Sequence, residues 1–151
     1  VALSNFYFEK VSPWLGEVKV TVSKIEGGSQ HNVAPATCSF VIDVRNTDAY
    51  TNEEVLAVLQ GLCNSDLKAR SLRLKPSGIS EDHAVVQAGL SLGKSCYGSP
   101  TLSDQALLSC SSLKMGPGKS ERSHTANEYI YLKEIEEGIE TYLALLEKIV
   151  R

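Results

Sequence analysis

Residues Gly116 to Glu128 read GPGKSERSHTANE, and this stretch separates a short apolar run from a long amphipathic pattern. The apolar run, Ser112 to Met115, stops at the turn-forming Gly-Pro-Gly. From about Tyr131 onward, apolar residues recur at helical spacing. A strand, a Gly/Pro turn, a polar loop and a helix in this order are typical of α/β proteins, whose loops carry the chemistry. His124 lies inside the loop, although local context alone favours an inert surface histidine.

The composition excludes several classes of partner. The chain has 151 residues, 42% of them hydrophobic, and a net charge of -3, which provides no basic field for nucleic acid or anionic lipid. No apolar run approaches the roughly 20 residues that cross a bilayer, and the first residues do not read as a signal peptide. We therefore expect a cytoplasmic protein with neither a nucleic-acid nor a membrane partner.

The cysteines predict a reducing compartment. None of the four forms a C-x-x-C pair, and each stands among apolar or small residues. This context predicts reduced, mostly buried thiols in an intracellular protein, and the spacing does not favour zinc held by cysteine alone. The residues concerned are Cys38, Cys63, Cys96 and Cys110.

The first half of the chain has the element order of a ferredoxin-like domain. Glu17 to Ile25 and Ala36 to Arg45 alternate apolar and polar residues, which predicts two strands that pair antiparallel. Thr51 to Glu54 is a capping box that opens a helix, and Leu67 to Lys75 predicts a third strand. A preceding strand and helix would complete a ferredoxin-like βαββαβ sandwich. Residues 1–12 fit the end of such a helix, so we expect the sequence to be a fragment.

The second half, after a boundary near Pro76, alternates helix and strand patterns. Two short strands, Ser95 to Tyr97 and Leu113 to Met115, are too few for a doubly wound sheet. We therefore expect the other strands to come from a partner chain or an absent N-terminal segment. Helical patterns cover Asp82 to Leu92, the turn Gln105 to Leu108, and a final helix with the apolar stripe Leu132, Ile135, Ile139, Leu143, Leu146 and Val150.

No complete catalytic site follows from the residue types alone. The chain has no histidine and carboxylate cluster with metal spacing and no recognisable Ser-His-Asp motif. Catalytic zinc takes three protein ligands, so one imidazole is not enough.

Five short motifs in order nevertheless resemble one family. They are Gly27-Gly28, Asn32-x-x-Pro35, Asp43-x-Arg45, Ser103-Asp104, and Gly-Pro-Gly followed by Ser-His-Thr-Ala-Asn-Glu. In this order they resemble the zinc-dependent aminoacylases, acetylornithine deacetylases and succinyl-diaminopimelate desuccinylases, a family that includes di-zinc exopeptidases. The stretches Tyr97 to Gln105 and Gly116 to Ile130 look most like N-acyl-ornithine deacetylases.

The resemblance implies a mixed α/β (α+β) chain with two partial domains. Residues 1–77 would form part of a ferredoxin-like lid or dimerisation domain, and residues 78–151 the C-terminal part of a zinc-hydrolase catalytic domain. The implied partners are a small N-acyl amino acid and a second copy of the chain, bound through the lid. One or two zinc ions are implied in the complete enzyme.

The resemblance also implies roles for individual residues. His124 matches a zinc ligand, and zinc lowers the pKa of bound water to roughly 7. Arg45 matches a lid residue that clamps the substrate carboxylate, and Asn32 one that reaches the active site, in several members across the dimer. The residues that match the acyl-amino-acid pocket are Gly98, Ser99, Ser103 and Asp104.

Each role has a simpler alternative. In place of the substrate role, Arg45 would pair with Asp43 or Asp48 on a solvated sheet face. In place of the active-site role, Asn32 would be only a turn residue before a proline. As alternatives to functional roles, Asp104 would cap the following turn, and Glu128 would begin the final helix region. His31 and His83 are interpreted as structural or exposed.

The family pattern is incomplete here. The His-x-Asp ligand pair, the bridging Asp, the Glu-Glu pair with the general base, the further carboxylate ligand and the lid histidine are absent. Lys119 and Asn127 stand where relatives often carry acids.

We therefore interpret the chain as the C-terminal part of an acetylornithine deacetylase-like amidohydrolase of arginine biosynthesis, inactive by itself. The alternatives are a non-catalytic ferredoxin-like dimerisation module and an exopeptidase of the same family.

Overall fold

The computed structural model describes Leu3 and residues 6–150, which form two compact units. Unit 1 comprises Val1–Pro76 and Gly98–Leu107, and unit 2 comprises Ser77–Tyr97 and Leu108–Arg151. The mixed α and β content confirms the predicted fold class. In chain order the elements are β1 (Lys19–Gly27), β2 (Cys38–Arg45), α1 (Asn52–Leu62), α2 (Ala84–Ser91) and α3 (Leu132–Val150), with 3₁₀ turns at Asp104–Leu107 and Ser120–Arg122.

The predicted antiparallel pairing of the first two strands is confirmed. Lys19 lies opposite Arg45 at one end of the ladder, and a bulge interrupts the register between Val22 and Lys24. One extra residue reverses the alternation of side chains. Ile25, opposite Phe40, therefore stays on the sheet face that carries the apolar residues of β2.

The core of unit 1 lies between this sheet face and α1. Val55 and Leu59 of α1 are buried, together with Leu3, Phe8 and Val18. Full burial of one such side chain stabilises a fold by roughly 1.5–3 kcal/mol. The partly buried residues packed against this core include Val20, Phe40, Ile42, Val44 and Tyr50.

The helix end predicted over residues 1–12 falls partly outside the described residues. Within the described part of this segment, residues 6–11 form neither helix nor strand. Phe8 nevertheless contributes to the core, where its ring meets those of Phe6 and Tyr50 edge to face at 5.1 Å.

The third strand predicted over Leu67 to Lys75 is wrong, because this segment is irregular. Its backbone carbonyls bond to side chains of α1 instead of a neighbouring strand. The Asn52 amide donates to the carbonyls of Leu72 and Leu74 at 3.1 and 2.8 Å, and the Gln60 amide donates to that of Leu67 at 3.0 Å. An alternating pattern makes a strand only where a ladder partner is available.

The two short strands predicted in unit 2 are also wrong for the described residues. Ser95 to Tyr97 and Leu113 to Met115 have no ladder partner there. The carbonyl of Met115 instead accepts a hydrogen bond from the Tyr142 hydroxyl of α3 at 2.5 Å. Gly138 of α3 allows close packing, since a Cβ there would lie 3.0 Å from the Pro117 side chain.

The final helix forms as predicted, but its apolar stripe is largely exposed. Ile139, Leu143 and Leu146 are each more than half exposed, whereas Leu145 is buried. Periodicity identifies an apolar face without identifying what covers it. None of the helices in the described part of the chain is long and apolar enough to span a membrane.

The expectation of mostly buried thiols is wrong. Cys38, Cys96 and Cys110 are exposed, and Cys63 is half-buried; all four are free. Cys38 lies opposite Gly27 at the end of the sheet, away from the core residues. Cys96 lies in the segment Ser95 to Tyr97, which does not form the expected short strand, and Cys110 lies in another irregular segment.

The capping box of α1 is present in full. The Thr51 hydroxyl accepts from the Glu54 N–H at 3.1 Å, and the Glu54 carboxylate accepts from the Thr51 N–H at 2.7 Å. The bond from the Thr51 backbone, followed by that from Lys10, lowers the pKa of Glu54.

Replacing the cap residue is expected to weaken unit 1. Thr51→Ala leaves the Glu54 N–H without its acceptor and should lower the free energy of unfolding by about 1 kcal/mol. Urea unfolding followed by far-UV circular dichroism measures the change. Thr37→Ala, at an exposed position between the strands, is the matched control. Equal stability of the two variants would contradict the proposed contribution of the cap.

Candidate functional site

The residues matched to a site are distributed over both units. Unit 2 contains His124, and unit 1 contains the others: Asn32, Arg45, Gly98, Ser99, Ser103 and Asp104. The two groups are therefore described separately.

Arg45 lies at the end of β2 and forms an ion pair with a surface neighbour. Its Nε donates to Asp43 Oδ2 at 2.8 Å, and its side chain is 75% exposed. This is the ordinary surface pair anticipated as the alternative to a substrate clamp. Exposed pairs contribute about 0–1 kcal/mol, so a ligand carboxylate would compete with Asp43 at little cost.

Asn32 lies in the exposed connection between the two strands. Gly28 begins this connection with φ of 81°, and a Cβ there would contact the Pro35 ring at 3.4 Å. The glycine and the proline thus shape the turn that carries Asn32. This geometry is compatible with both the turn role and the binding role.

The segment from Gly98 to Leu107 packs against the beginning of unit 1. A Cβ on Gly98 would lie 2.6 Å from the carbonyl oxygen of Trp14, so only glycine allows this approach. Farther along, Ala106 is buried and its carbonyl accepts from the Lys75 N–H at 3.4 Å. Gly98 therefore has a structural reason to be glycine, whatever its part in binding.

Two polar residues of this segment shape its path. Ser99 and Thr101 share a hydroxyl hydrogen bond of 2.7 Å. The Ser103 carbonyl accepts from the Ala106 N–H at 3.0 Å, and Asp104 begins the 3₁₀ turn. The predicted helical turn is confirmed, but Asp104 lies within its first turn instead of preceding the turn as a cap.

His124 is exposed and has a positive φ, which is uncommon for residues other than glycine. Its φ is 60°, and that of Asn127 is 59°; they are the non-glycine residues with positive φ in the described part of the chain. The left-handed region costs an ordinary residue roughly 1–2 kcal/mol. Strained backbone of this kind collects at functional sites, where the surrounding structure holds it in place.

Glu128 differs from its predicted role at the start of the final helix. The helix begins at Leu132, and the Glu128 carboxylate instead accepts a hydrogen bond from the His124 N–H at 2.9 Å. A carboxylate four residues downstream thus closes the loop that presents the imidazole.

Arg122 anchors the loop on α3, a role that the sequence patterns did not reveal. Its Nη1 donates to Glu134 Oε2 at 2.9 Å and its Nη2 to Glu134 Oε1, with the two side chains 14% and 20% exposed. The guanidinium carbon lies 4.8 and 5.4 Å from the ring centroids of Tyr129 and Tyr131. The sequence does contain a pattern that could have indicated this anchor: an arginine, then two tyrosines, then a glutamate in the first turn of the helix.

Glu134 has a second partner at the start of α3. Its Oε2 accepts from the Tyr131 N–H at 3.0 Å, which satisfies a donor just ahead of the helix. The hydrogen bonds from Arg122, and then that from Tyr131, lower the pKa of Glu134, while Glu134 raises the pKa of Arg122.

The described residues do not make a complete metal site. No group of three or more His, Cys, Asp or Glu side chains is placed to hold a metal ion in the described ranges. The imidazole of His124 suits zinc as one ligand, but zinc requires further donors. His124 is therefore a candidate for one arm of such a site.

A family model matches the first part of the chain. Residues 4–71, less than half of the 151 residues, match the family model of the M20 peptidase dimerisation domain, which is ferredoxin-like. The match is a similarity to a domain of metallopeptidases and amidohydrolases. At this coarser level it supports the resemblance to the aminoacylase and peptidase family, here M20, whose members are generally zinc-dependent. No match was found among curated proteins.

The packing of Gly98 predicts opposite effects for two glycine substitutions in unit 1. Gly98→Ala should lower the free energy of unfolding by about 1–3 kcal/mol, the usual cost of overpacking, because its Cβ would collide with Trp14. Gly61→Ala, in α1 with no atom near the added Cβ, should raise it by about 0.5–1 kcal/mol. Urea midpoints of both variants check the prediction. A Gly98→Ala variant with the same midpoint as the parent chain would refute the close approach of Gly98 to Trp14.

The lowered pKa of Glu134 predicts a loss of stability in acid. A folded-state pKa below the ordinary 4.5 stabilises the fold above that value, and the stabilisation is lost as the pH falls through the folded pKa. Glu134→Gln should therefore be less stable than the parent chain at neutral pH, and the difference should shrink below about pH 4. Thermal unfolding across pH measures it. The control is Glu137→Gln, which alters an exposed pair with Lys133 and should show little difference at any pH.

Proposed function

We propose that this chain is part of a zinc-dependent amidohydrolase that removes the N-acyl group from an N-acyl amino acid such as N-acetylornithine. The observation that carries the proposal is the dimerisation-domain match over residues 4–71. The strained His124 loop of unit 2 supports it, since a ligand-bearing loop is a place where backbone strain is retained.

His124 is assigned as one zinc ligand in the complete enzyme. Its exposed side chain is open to a metal ion, and its backbone is held by Glu128. Zinc held there would lower the pKa of a bound water to roughly 7. The remaining ligands and the general base lie outside this sequence, so the 151-residue chain alone should be inactive.

The unit 1 residues are assigned to substrate. Arg45 would exchange its surface partner Asp43 for the substrate carboxylate, which matches the planar fork of a guanidinium. Asn32 would reach the site from the exposed connection, in its own subunit or its partner's. The proposed pocket residues are Gly98, Ser99, Ser103 and Asp104.

The further parts of the proposal follow from the same class. A dimerisation domain supports a homodimer formed through unit 1. Arginine biosynthesis and a cytoplasmic location are proposed with the acetylornithine substrate. The match to a peptidase dimerisation domain also favours one alternative, an exopeptidase acting on dipeptides.

The test uses the proposed complete enzyme, in which a metal-binding part would accompany this chain. His124→Ala should reduce both zinc content and kcat/KM for N-acetylornithine, the latter by about 100-fold or more. His83→Ser is the control, because the serine retains an acceptor at the N-cap of α2, where His83 now accepts from the Val85 N–H.

Three results would overturn parts of this proposal. Full zinc content and activity in His124→Ala would refute the ligand role. Faster turnover of dipeptides than of N-acetylornithine would replace the deacylase with the exopeptidase. Turnover of N-acetylornithine with zinc by the 151-residue chain alone would refute its inactivity.

A further inference from the structure

Arg122 stands two residues before His124 and has an unusually well satisfied side chain for a loop cation. Two of its nitrogens donate to the two carboxylate oxygens of Glu134, and Tyr129 and Tyr131 lie within 5.4 Å of the guanidinium carbon. A planar guanidinium held by a carboxylate and two rings has little freedom to move. The backbone of Arg122 is thereby fixed relative to the first turn of α3.

Hydrogen bonds connect this fixed point to both sides of His124. On the downstream side, the Thr125 hydroxyl donates to the Arg122 carbonyl at 2.7 Å. The His124 N–H donates to Glu128, the residue immediately before Tyr129, whose ring lies 4.8 Å from the guanidinium carbon. The chain thus leaves Arg122, passes through the left-handed His124, and is bound back to Arg122 and to Glu128, the residue next to Tyr129.

We infer that Arg122 is a positioning residue that holds the His124 backbone in its left-handed conformation and so aims the imidazole. Its side chain is held by Glu134 and lies against the two tyrosine rings, so we assign its effect on His124 to the backbone. The importance of Arg122 for catalysis rests on the proposed role of His124 as a zinc ligand. The effect of Arg122 on the His124 backbone is independent of that role.

The test measures the backbone of His124 directly in the isotope-labelled 151-residue chain. A left-handed residue has a short distance between its own Hα and amide hydrogen, which gives a strong intraresidue nuclear Overhauser effect. The parent chain should show this signature at His124. In Arg122→Met the left-handed population should fall about fivefold or more, the ratio set by the low end of its intrinsic cost.

Controls separate positioning from loss of structure. Lys133→Met removes an exposed cation from the first turn of α3, which also contains Glu134, and should leave the His124 signature intact. Far-UV circular dichroism reports whether α3 persists in each variant. If Arg122→Met loses α3, the Arg122→Lys variant is used to test the positioning role. Lysine keeps the charge but cannot form the two parallel hydrogen bonds, so this variant should also lose the His124 signature.

The outcomes distinguish this inference from the proposed function. A parent chain without the signature, or a folded Arg122→Met or Arg122→Lys that retains it, would overturn the positioning role even if His124→Ala abolishes activity. Loss of the signature in the variants together with full activity of His124→Ala in the complete enzyme would refute the ligand role and leave the positioning role supported.

Discussion

The ion pair between Arg122 and Glu134 is the interaction on which the candidate zinc-ligand loop depends. An exposed pair of this type contributes little to stability, because water and salt compete for both charges. Here two parallel hydrogen bonds, low exposure and two aromatic rings limit that competition. Removing either partner would leave the other largely shielded and unpaired, which is the costly situation. A glutamate of the helix thus determines the path of the loop that presents His124.

The stability of unit 1 depends on the helix that packs against its small sheet. Two strands are at best marginally stable in water unless something buries their apolar face. Val55 and Leu59 of α1 provide that burial, and the Thr51 cap fixes where the helix begins. Arg45 stands at the end of the second strand, so the packing that stabilises the sheet also places a candidate substrate residue. Residues 4–71, most of this unit, are similar to a dimerisation domain, which its own contacts do not reveal.

The features that sequence patterns predicted correctly are local ones. The capping box lies within four residues, and the alternation of two neighbouring strands was enough to predict their antiparallel pairing. The failures involve distant partners. Leu67 to Lys75 alternates like a strand, but Asn52 and Gln60 of α1 bond its carbonyls. Of the candidate site, the residue types and their order were readable, whereas the Arg122 anchor joins residues twelve apart through geometry that no periodicity encodes.

By itself, the sequence determined the helices, the paired strands and the presence of one histidine in a polar loop after Gly-Pro-Gly. These follow from caps, turn residues and hydrophobic periods, all of which act over a few neighbouring residues. Only the tertiary structure decided that His124 is left-handed, that Gly98 must approach Trp14, and that the stripe of α3 is largely exposed. Each of these depends on which distant groups meet, and hydrogen-bond partners and packing neighbours are chosen by the whole fold.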